Sequence, residues 1–227
     1  VSIGGFSTHD ASMGYFNNGA IESVAIFFMF FSGINFSLHF MAWRHTNVKP
    51  YWYDAELITY LSILLLICFI CVSYHLMISG YENIGKVIKD SLFQTVSIAT
   101  TTGFTTTEYQ SWPGFLPLLL LFSSFIGACA GSTGGGMKVI RVLLICKQGI
   151  REIHRLIHPN AIIPIKIAKK SVSDRVVEAV WGFFAVYIVS FMLMFLMLMG
   201  TGLDFTTAFS AVGACINNLG PGMGDVA

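Results

Sequence analysis

The amino-acid sequence predicts an all-α integral membrane protein built from repeated helical units. Two observations lead to this prediction. Hydrophobic residues make up 55% of the 227 residues and charged residues only 11%, against about 45–50% apolar and about 25% charged in soluble proteins. A polar, glycine-centred loop also recurs along the chain. So little charge cannot cover a soluble surface, and a net charge of +1 provides no dense basic face for nucleic acid.

Long uncharged runs predict the membrane-spanning helices. No Asp, Glu, Lys or Arg occurs in four such runs, 23–43, 57–81, 109–137 and 179–203. Each is long enough for the roughly 20 residues that a helix needs to cross the hydrocarbon core. We therefore expect spans over 20–43, 57–80, 115–148 and 176–200.

Two further uncharged runs, 91–107 and 205–224, end in the polar tracts 100–103 and 217–222. Irregular backbone is tolerated at membrane depth only inside protein or beside water. We therefore interpret both runs as re-entrant half-helices followed by extended loops. The expected half-helices cover 84–99 and 204–215, and the expected loops cover 100–106 and 216–222.

The basic residues indicate the orientation in the membrane. Of the 13 Lys and Arg residues, two lie in 44–49 and nine in 138–175. By the positive-inside rule, the connections 44–56 and 149–175 are expected on the cytoplasmic side. The polar loops and the N-terminal stretch 1–10 are then expected on the outer side. Lys86 and Lys89 are the two exceptions to this distribution.

The glycine loops indicate an internal repeat. Residues 2–8 match residues 100–106 position for position, with Gly5 opposite Gly103. A third copy leads to Gly220, but the stretch from Phe209 to that glycine is one residue longer than the stretch that starts at Phe93. A single loop of this kind would be read as an ordinary turn. Repetition after uncharged half-helices favours a shared function.

The loops have the chemistry of a cation filter. Rings of backbone carbonyls can replace the water shell of a dehydrated monovalent cation. Glycine adopts φ values that other residues avoid, so one glycine per loop lets the carbonyls point the same way. The half-helices end at the loops, and their C-terminal ends add partial negative charge there.

Four segments resemble those of the Trk/Ktr/HKT superfamily of potassium transport proteins: 3–10, 100–106, 130–138 and 217–222. The resemblance implies M1–P–M2 units, each a helix, a half-helix with its filter loop and a second helix, around a pseudo-fourfold pore. It also implies a homodimer, a multi-pass location in the bacterial inner membrane, and a cytoplasmic nucleotide-binding regulatory ring of the TrkA type.

The resemblance implies which residues bind potassium. Carbonyl ligands would come from Ile3, Gly4, Gly5, Thr101, Thr102, Gly103, Asn218, Leu219 and Gly220. Potassium ions in the filter would be the bound species, with no other cofactor. The chain would then comprise the end of the second unit (1–56), the third unit (57–148), a basic connection (149–175) and the start of the fourth unit (176–227). It would be about half a subunit.

The expected span 115–148 is interrupted at 129–137. Glycine and serine clusters break or kink helices. The resemblance implies that this break is a gate below the filter, formed by Gly131, Ser132, Thr133, Gly134, Gly135, Gly136 and Lys138. A helix kink without gating is one alternative. A phosphate-binding loop is another, but Met137 stands where that motif requires lysine.

The charged residues near the span ends have two interpretations. The basic stretch 147–175 either contacts anionic lipid headgroups or docks the regulatory ring. Acidic residues near span ends, including Glu22 and Glu56, are interpreted as boundary markers. The candidate docking residues are Arg151, Arg155, Lys169 and Lys170.

The function predicted from these features is passive, gated, channel-like potassium uptake, and not an enzymatic reaction. An ion-coupled symporter is the alternative, but it would need a carboxylate or a charged pair within a span, and the sequence shows none. An intramembrane hydrolase would need a nucleophile with a base. Ser132 and His75 are the candidate pair, and the expected topology places them on opposite sides of the membrane.

Overall fold

The computed structural model describes residues 3–79, 84–161, 163–168 and 170–226. The α-helices of this part of the chain are α1 (Gly19–Ser32), α2 (Phe36–His45), α3 (Lys49–Tyr53), α4 (Ala55–Ser79), α5 (Ile84–Ala99), α6 (Leu116–Ile126), α7 (Val139–Ile157), α8 (Asp174–Gly200) and α9 (Phe205–Ile216). Short 3-10 turns lie at Ser12–Phe16, Tyr109–Ser111 and Gly224–Val226. Strands β1 (Lys166–Ile167) and β2 (Lys170–Ser171) pair antiparallel.

Helices α4 and α8 have the length and composition of membrane spans. Among the described helices, these two could cross a membrane by themselves, and the bent pair α1–α2 would make a third span. Their large apolar side chains are widely exposed, for example Leu65 at 70%, Phe69 at 69% and Met197 at 74%. Such surfaces are unfavourable in water and suited to lipid. This confirms the predicted all-α membrane fold class.

The span expected over 20–43 is two helices rather than one. Helices α1 and α2 meet at an angle of 92°. Asn35 starts α2, because its side-chain oxygen accepts a 2.8 Å hydrogen bond from the Ser37 N–H and caps the new helix. Charge counting missed this break because Gly33 and Asn35 are uncharged. The expected loop 44–56 also contains α3 and the end of α2.

The expected span 115–148 consists of α6 and α7, which are separated by residues 127–138. We call this stretch the 127–138 segment. Helix α7 continues to Ile157, so residues 149–157 of the expected connection are helical. The β1–β2 hairpin lies in the remainder of that connection. The basic stretch is therefore partly an extension of the second half of a broken span.

The half-helices α5 and α9 are enclosed by the longer helices. Helix α5 packs against α1, α4 and α6, while α9 packs against α6 and α8. One apolar core joins them: Leu120 and Leu121 of α6 cluster with Ile98 of α5 and with Leu219, which follows α9, and all four side chains are fully buried. This core holds the ends of both half-helices, and hence the loops after them, close together.

Candidate functional site

The three glycine loops lie against one another at their glycines. The Gly5 N–H donates a 2.8 Å hydrogen bond to the carbonyl oxygen of Thr102. A Cβ atom at Gly103 would overlap the carbonyl oxygen of Leu219 and would lie 2.7 Å from the Gly5 nitrogen. The fold thus brings three distant parts of the chain to one point. Of the candidate ligands, Ile3 lies at the start of the described chain and is half-buried.

Glycine is required at these corners for two reasons. The φ angle is +100° at Gly4, +80° at Gly103 and +102° at Gly220, values that L side chains rarely adopt. Space is also lacking, because a Cβ at Gly220 would lie 2.7 Å from the carbonyl carbon of Gly4. A larger residue at Gly103 or Gly220 would therefore push the loops apart.

The loops after α5 and α9 share one backbone hydrogen-bonding pattern. In each, one residue other than glycine is left-handed, with φ +57° at Thr101 and +53° at Asn218. The N–H of this residue donates to the backbone carbonyl three positions earlier. The N–H of the residue that follows it donates to the carbonyl five positions before itself. The donor and acceptor pairs are Thr101 to Ile98 (3.0 Å), Thr102 to Ser97 (2.8 Å), Asn218 to Cys215 (3.1 Å) and Leu219 to Ala214 (2.8 Å).

This pattern corrects the register of the repeat. Each donor of the later loop lies 117 positions after its counterpart, as Asn218 does after Thr101. By the same offset, Ser210 rather than Phe209 corresponds to Phe93. Both Ser210 and Phe93 are fully buried. Phe209 instead packs against the Phe191 ring of α8, with 5.2 Å between the ring centroids. Matching two phenylalanines therefore shifted the sequence comparison by one residue.

Polar side chains of the half-helices bind the part of each loop that follows its glycine. In α5, the Ser97 hydroxyl donates to the Phe104 carbonyl at 2.6 Å, and Gln94 Nε2 donates to the Thr107 carbonyl at 2.8 Å. In α9, the Ser210 hydroxyl oxygen accepts from the Met223 N–H at 2.9 Å. These side chains are buried, so the protein core holds the loop backbone in place.

Asn217 anchors the third loop to two helices. The Tyr187 hydroxyl of α8 donates to Asn217 Oδ1 at 2.6 Å, and Asn217 Nδ2 donates to Ser124 Oγ of α6 at 3.1 Å. Neither Tyr187 nor Ser124 was among the residues predicted from the sequence to belong to the site. The only signal in the sequence was a polar side chain inside an apolar run, and such residues in a span are functional suspects.

The 127–138 segment lies directly against the first residues of two loops. The Gly135 N–H donates to Thr101 Oγ1 at 2.5 Å, and a Cβ at Gly135 would overlap the Asn217 carbonyl oxygen. At Gly134, a Cβ would lie 3.0 Å from the Thr100 carbonyl oxygen. Glycine is therefore needed where the segment passes beneath the loops.

The bend between α1 and α2 supports the same segment. The Cys129 N–H donates to the Gly33 carbonyl at 3.0 Å, and the Phe36 N–H donates to the Gly131 carbonyl at 3.0 Å. The Thr133 N–H also donates to the Ser32 carbonyl at 3.2 Å. Backbone groups freed by one broken helix thus satisfy those freed by the other.

Glu56 lies at a predicted span end, where it was interpreted as a boundary marker, but it is a buried part of this region. Its side chain is only 7% exposed, and its Oε1 accepts hydrogen bonds from the Ala130 N–H at 2.6 Å and the Ile140 N–H at 3.2 Å. Glu22 is buried as well, at 3%, and its carboxylate lies 2.9 Å from Lys89 Nζ. Sequence position at a span end did not reveal either burial.

The candidate docking residues differ in what they contact. Arg151 is only 8% exposed, and its Nη1 donates to Asp174 Oδ1 at 2.6 Å, so it connects α7 to α8 and offers no free charge. Arg155 is half-buried and pairs with a glutamate of its own helix at 3.1 Å. Lys170 is exposed in β2, and Lys169 lies outside the described residues.

Neither a metal-binding cluster nor the candidate hydrolase pair is formed in the described part of the chain. There, no cluster of three or more His, Cys, Asp or Glu residues could hold a metal ion. The Ser132 hydroxyl donates to the Cys129 carbonyl at 2.5 Å, close to the start of α4. His75 packs against Trp112, about 28 Å further along α4 than Glu56 at 1.5 Å per residue. The candidate hydrolase pair is therefore separated.

Comparison with known proteins identifies the family. A family model described as "TrkH: Cation transport protein" matches residues 1–227. The Trk system potassium uptake protein TrkH of Vibrio parahaemolyticus is 52% identical over 229 residues, which are 100% of this chain and 47% of that protein. TrkH of Escherichia coli K12 is 47% identical over 230 residues, again 100% of this chain and 47% of the relative.

A solved structure matches the fold. The crystal structure of the potassium transporter TrkH from Vibrio parahaemolyticus superposes with a TM-score of 0.93 at 53% identity, covering 99% of this chain and 48% of that one. The chain thus spans about half the length of these relatives. The match confirms the predicted fold class of repeated units and the predicted superfamily. The chain belongs to the TrkH family of cation transport proteins.

Proposed function

We propose that the chain forms part of a gated, passive, channel-like pathway for potassium uptake across the bacterial inner membrane. The observation that carries this proposal is the contact of three glycine loops, two of which share one backbone hydrogen-bonding pattern. Similar proteins are named potassium uptake proteins. Because the chain spans about half of their length, the activity is proposed for the full-length protein.

The proposed ligands are backbone carbonyl oxygens, which can replace the water shell of potassium. Helices α5 and α9 end at the loops, so their C-terminal ends add negative partial charge beside the ion. A membrane potential contributes about 2.3 kcal/mol per charge per 100 mV, which drives uptake without a second ion. The ligand residues are Ile3, Gly4, Gly5, Thr101, Thr102, Gly103, Asn218, Leu219 and Gly220.

The 127–138 segment is the proposed gate. Gly134 and Gly135 lie against the inner ends of two loops, so an ion moving inward has to pass them. The Lys138 ammonium group donates to the Gly134 carbonyl, which places a positive charge beside the proposed path. Passage therefore requires this segment to move. The residues involved are Gly131, Ser132, Thr133, Gly134, Gly135, Gly136 and Lys138.

The filter assignment is tested by Gly103→Ser in the full-length protein. A side chain there meets both the strained φ and the Leu219 carbonyl, so the ratio of potassium to sodium permeability should fall, as measured by reversal potentials in liposomes. Gly85→Ala is the matched control, because no atom lies within 4 Å of its added Cβ. An unchanged ratio in Gly103→Ser would refute the filter.

Ion-coupled uptake is the competing function, and the buried carboxyl groups of Glu22, Glu56 and Asp90 are the specific observation in its favour. Two of them already have partners, a lysine for Glu22 and two backbone N–H groups for Glu56. Potassium flux into liposomes with equal pH and no sodium on either side separates the two functions. Passive permeation predicts flux driven by voltage alone, whereas a symporter would stop.

We also propose that the full-length protein is a homodimer that binds a cytoplasmic nucleotide-binding ring of the TrkA type. Similar proteins are named as parts of a Trk system. In the basic stretch, Lys170 is exposed, and the half-buried Arg155 keeps 41% of its side chain accessible. Charge reversal at both positions should weaken binding of the purified ring. Unchanged affinity would remove them from the docking surface.

A further inference from the structure

The backbone on the two sides of the glycine run 131–136 is joined by one atom from another helix. Glu56 lies in the first turn of α4 and is 7% exposed. Its Oε1 accepts from the Ala130 N–H at 2.6 Å on one flank and from the Ile140 N–H at 3.2 Å on the other. A buried carboxylate is costly unless it is hydrogen-bonded, and these two bonds satisfy it.

Helix α7 needs an acceptor at this position. Its first N–H groups have no partner within the helix, and its N-cap residue, Lys138, makes no side-chain capping bond and has φ +78°. A lysine at a helix N-terminus also opposes the helix dipole. Glu56 supplies both the missing acceptor and the missing negative charge, although it belongs to α4.

We propose that Glu56 is the positioning residue that sets the closed position of the gate. This inference rests on the proposed function, because it assigns a role within the proposed gate. Ala130 and Ile140 lie on either side of the glycine run, so a carboxylate that holds both restricts the segment between them. Without it, the segment keeps its contacts with the α1–α2 bend and with Thr101, but its two flanks are no longer held together.

Glu22 provides a matched control for this role. It is a second buried carboxylate, 3% exposed, and it pairs with Lys89 of α5 at 2.9 Å. It makes no hydrogen bond to the 127–138 segment among the described contacts. Loss of either carboxylate perturbs a buried charge, but only the loss of Glu56 should release the segment.

Cys129 reports the position of the segment independently of transport. It is 1% exposed and lies next to Ala130. The experiment uses the full-length protein with every other cysteine replaced by serine, and compares Glu56→Ala, Glu56→Gln and Glu22→Ala. The readouts are the rate of Cys129 modification by N-ethylmaleimide, basal potassium flux in liposomes, and the ratio of potassium to sodium permeability.

We expect Glu56→Ala to increase both the Cys129 modification rate and basal flux by about tenfold, the size expected when buried hydrogen-bond donors lose their acceptor. The permeability ratio should stay at the wild-type value, since the filter is untouched. Glu56→Gln retains an oxygen that can accept from both N–H groups, so its modification rate should lie near wild type. Glu22→Ala should leave that rate unchanged.

Two results would overturn the proposal. One is a wild-type Cys129 rate in Glu56→Ala. The other is an equal increase in Glu56→Ala and Glu22→Ala, which indicates general loosening. An increased Cys129 rate specific to Glu56→Ala with unchanged flux supports the positioning role and refutes the gate, so the two failures are distinguishable.

Discussion

The Tyr187 hydroxyl donates a 2.6 Å hydrogen bond to Asn217 Oδ1, and both residues are buried. This bond ties the membrane-spanning helix α8 to the start of the third glycine loop. Thr100, the corresponding residue of the second loop, bonds locally to the Val96 carbonyl at 2.7 Å. The third loop therefore depends on a neighbouring helix for a support that the second loop finds in its own half-helix.

Tyr187→Phe should loosen the third loop. The change leaves the side-chain oxygen Oδ1 of Asn217 buried without its donor, at a cost of about 1–2 kcal/mol. We expect a severalfold lower ratio of potassium to sodium permeability, measured by reversal potentials, with the protein still folded. Tyr53→Phe is the control, because Tyr53 is 78% exposed. Equal ratios in the two variants would show that this bond does not shape the proposed filter.

Gly135→Ala should displace the 127–138 segment. The added Cβ would overlap the Asn217 carbonyl oxygen and lie 3.1 Å from Thr101 Oγ1, so the segment has to move away from the loops. We expect higher basal potassium flux in liposomes. Gly149→Ala in α7, where no atom lies within 4 Å of the new Cβ, should match wild type. Lower flux in a well-folded Gly135→Ala protein would argue against a blocking role.

Lys89→Met should destabilise the fold. Removing the cation leaves the Glu22 carboxylate buried without its ion pair. Because the Lys89 side chain is 40% exposed, solvent screening reduces the loss to about 1–2 kcal/mol. The measurement is the thermal unfolding midpoint in detergent, compared with Lys86→Met on the same helix. A midpoint equal to that of the control would mean that the pair contributes nothing to stability.

Asp204 should make stability depend on acidic pH. Hydrogen bonding from Thr207, and then from the Thr206 N–H, lowers the pKa of this N-cap carboxyl below its usual 3.8. A folded-state pKa below the unfolded one means that the contribution is complete above the unfolded pKa and is lost as pH falls through the folded pKa. Asp204→Ala should therefore lower the unfolding midpoint at pH 7 and differ less from wild type below about pH 4.

Asp204→Asn separates capping from charge. Asparagine also caps helices well, so this variant should retain most of the stability at pH 7 but should lose the acid dependence. The wild-type midpoint should approach that of Asp204→Asn as pH falls. A pH profile of Asp204→Asn identical to that of the wild type would show that Asp204 does not cause the acid dependence.

Much of the site could be predicted from sequence because its signals are local. The glycine and threonine residues at 100–103 follow an uncharged run directly, and backbone conformation at Gly103 depends on that residue itself. The break in the 115–148 span has the same origin, since glycine and serine clusters interrupt helices wherever they occur. Family resemblance then assigned these local features to a filter and a gate.

The missed features depend on contacts between residues far apart in the chain. The predicted span 20–43 is broken next to Asn35, where the freed backbone of the α1–α2 bend pairs with residues 129–133. Glu56 is a partner of Ala130, and Tyr187 of Asn217, only after the helices have packed. Hydropathy and charge patterns contain no information on these pairings, because such patterns describe neighbours along the chain and each pairing joins residues far apart in it.

The sequence by itself determined the membrane class and the positions of the glycine loops, since composition and backbone freedom are properties of short segments. Only the tertiary structure decided the register of the third loop, the 92° bend between α1 and α2, and the burial of Glu56. The physical reason is that backbone N–H and C=O groups freed by broken helices must find partners out of water, and packing determines which partners are near.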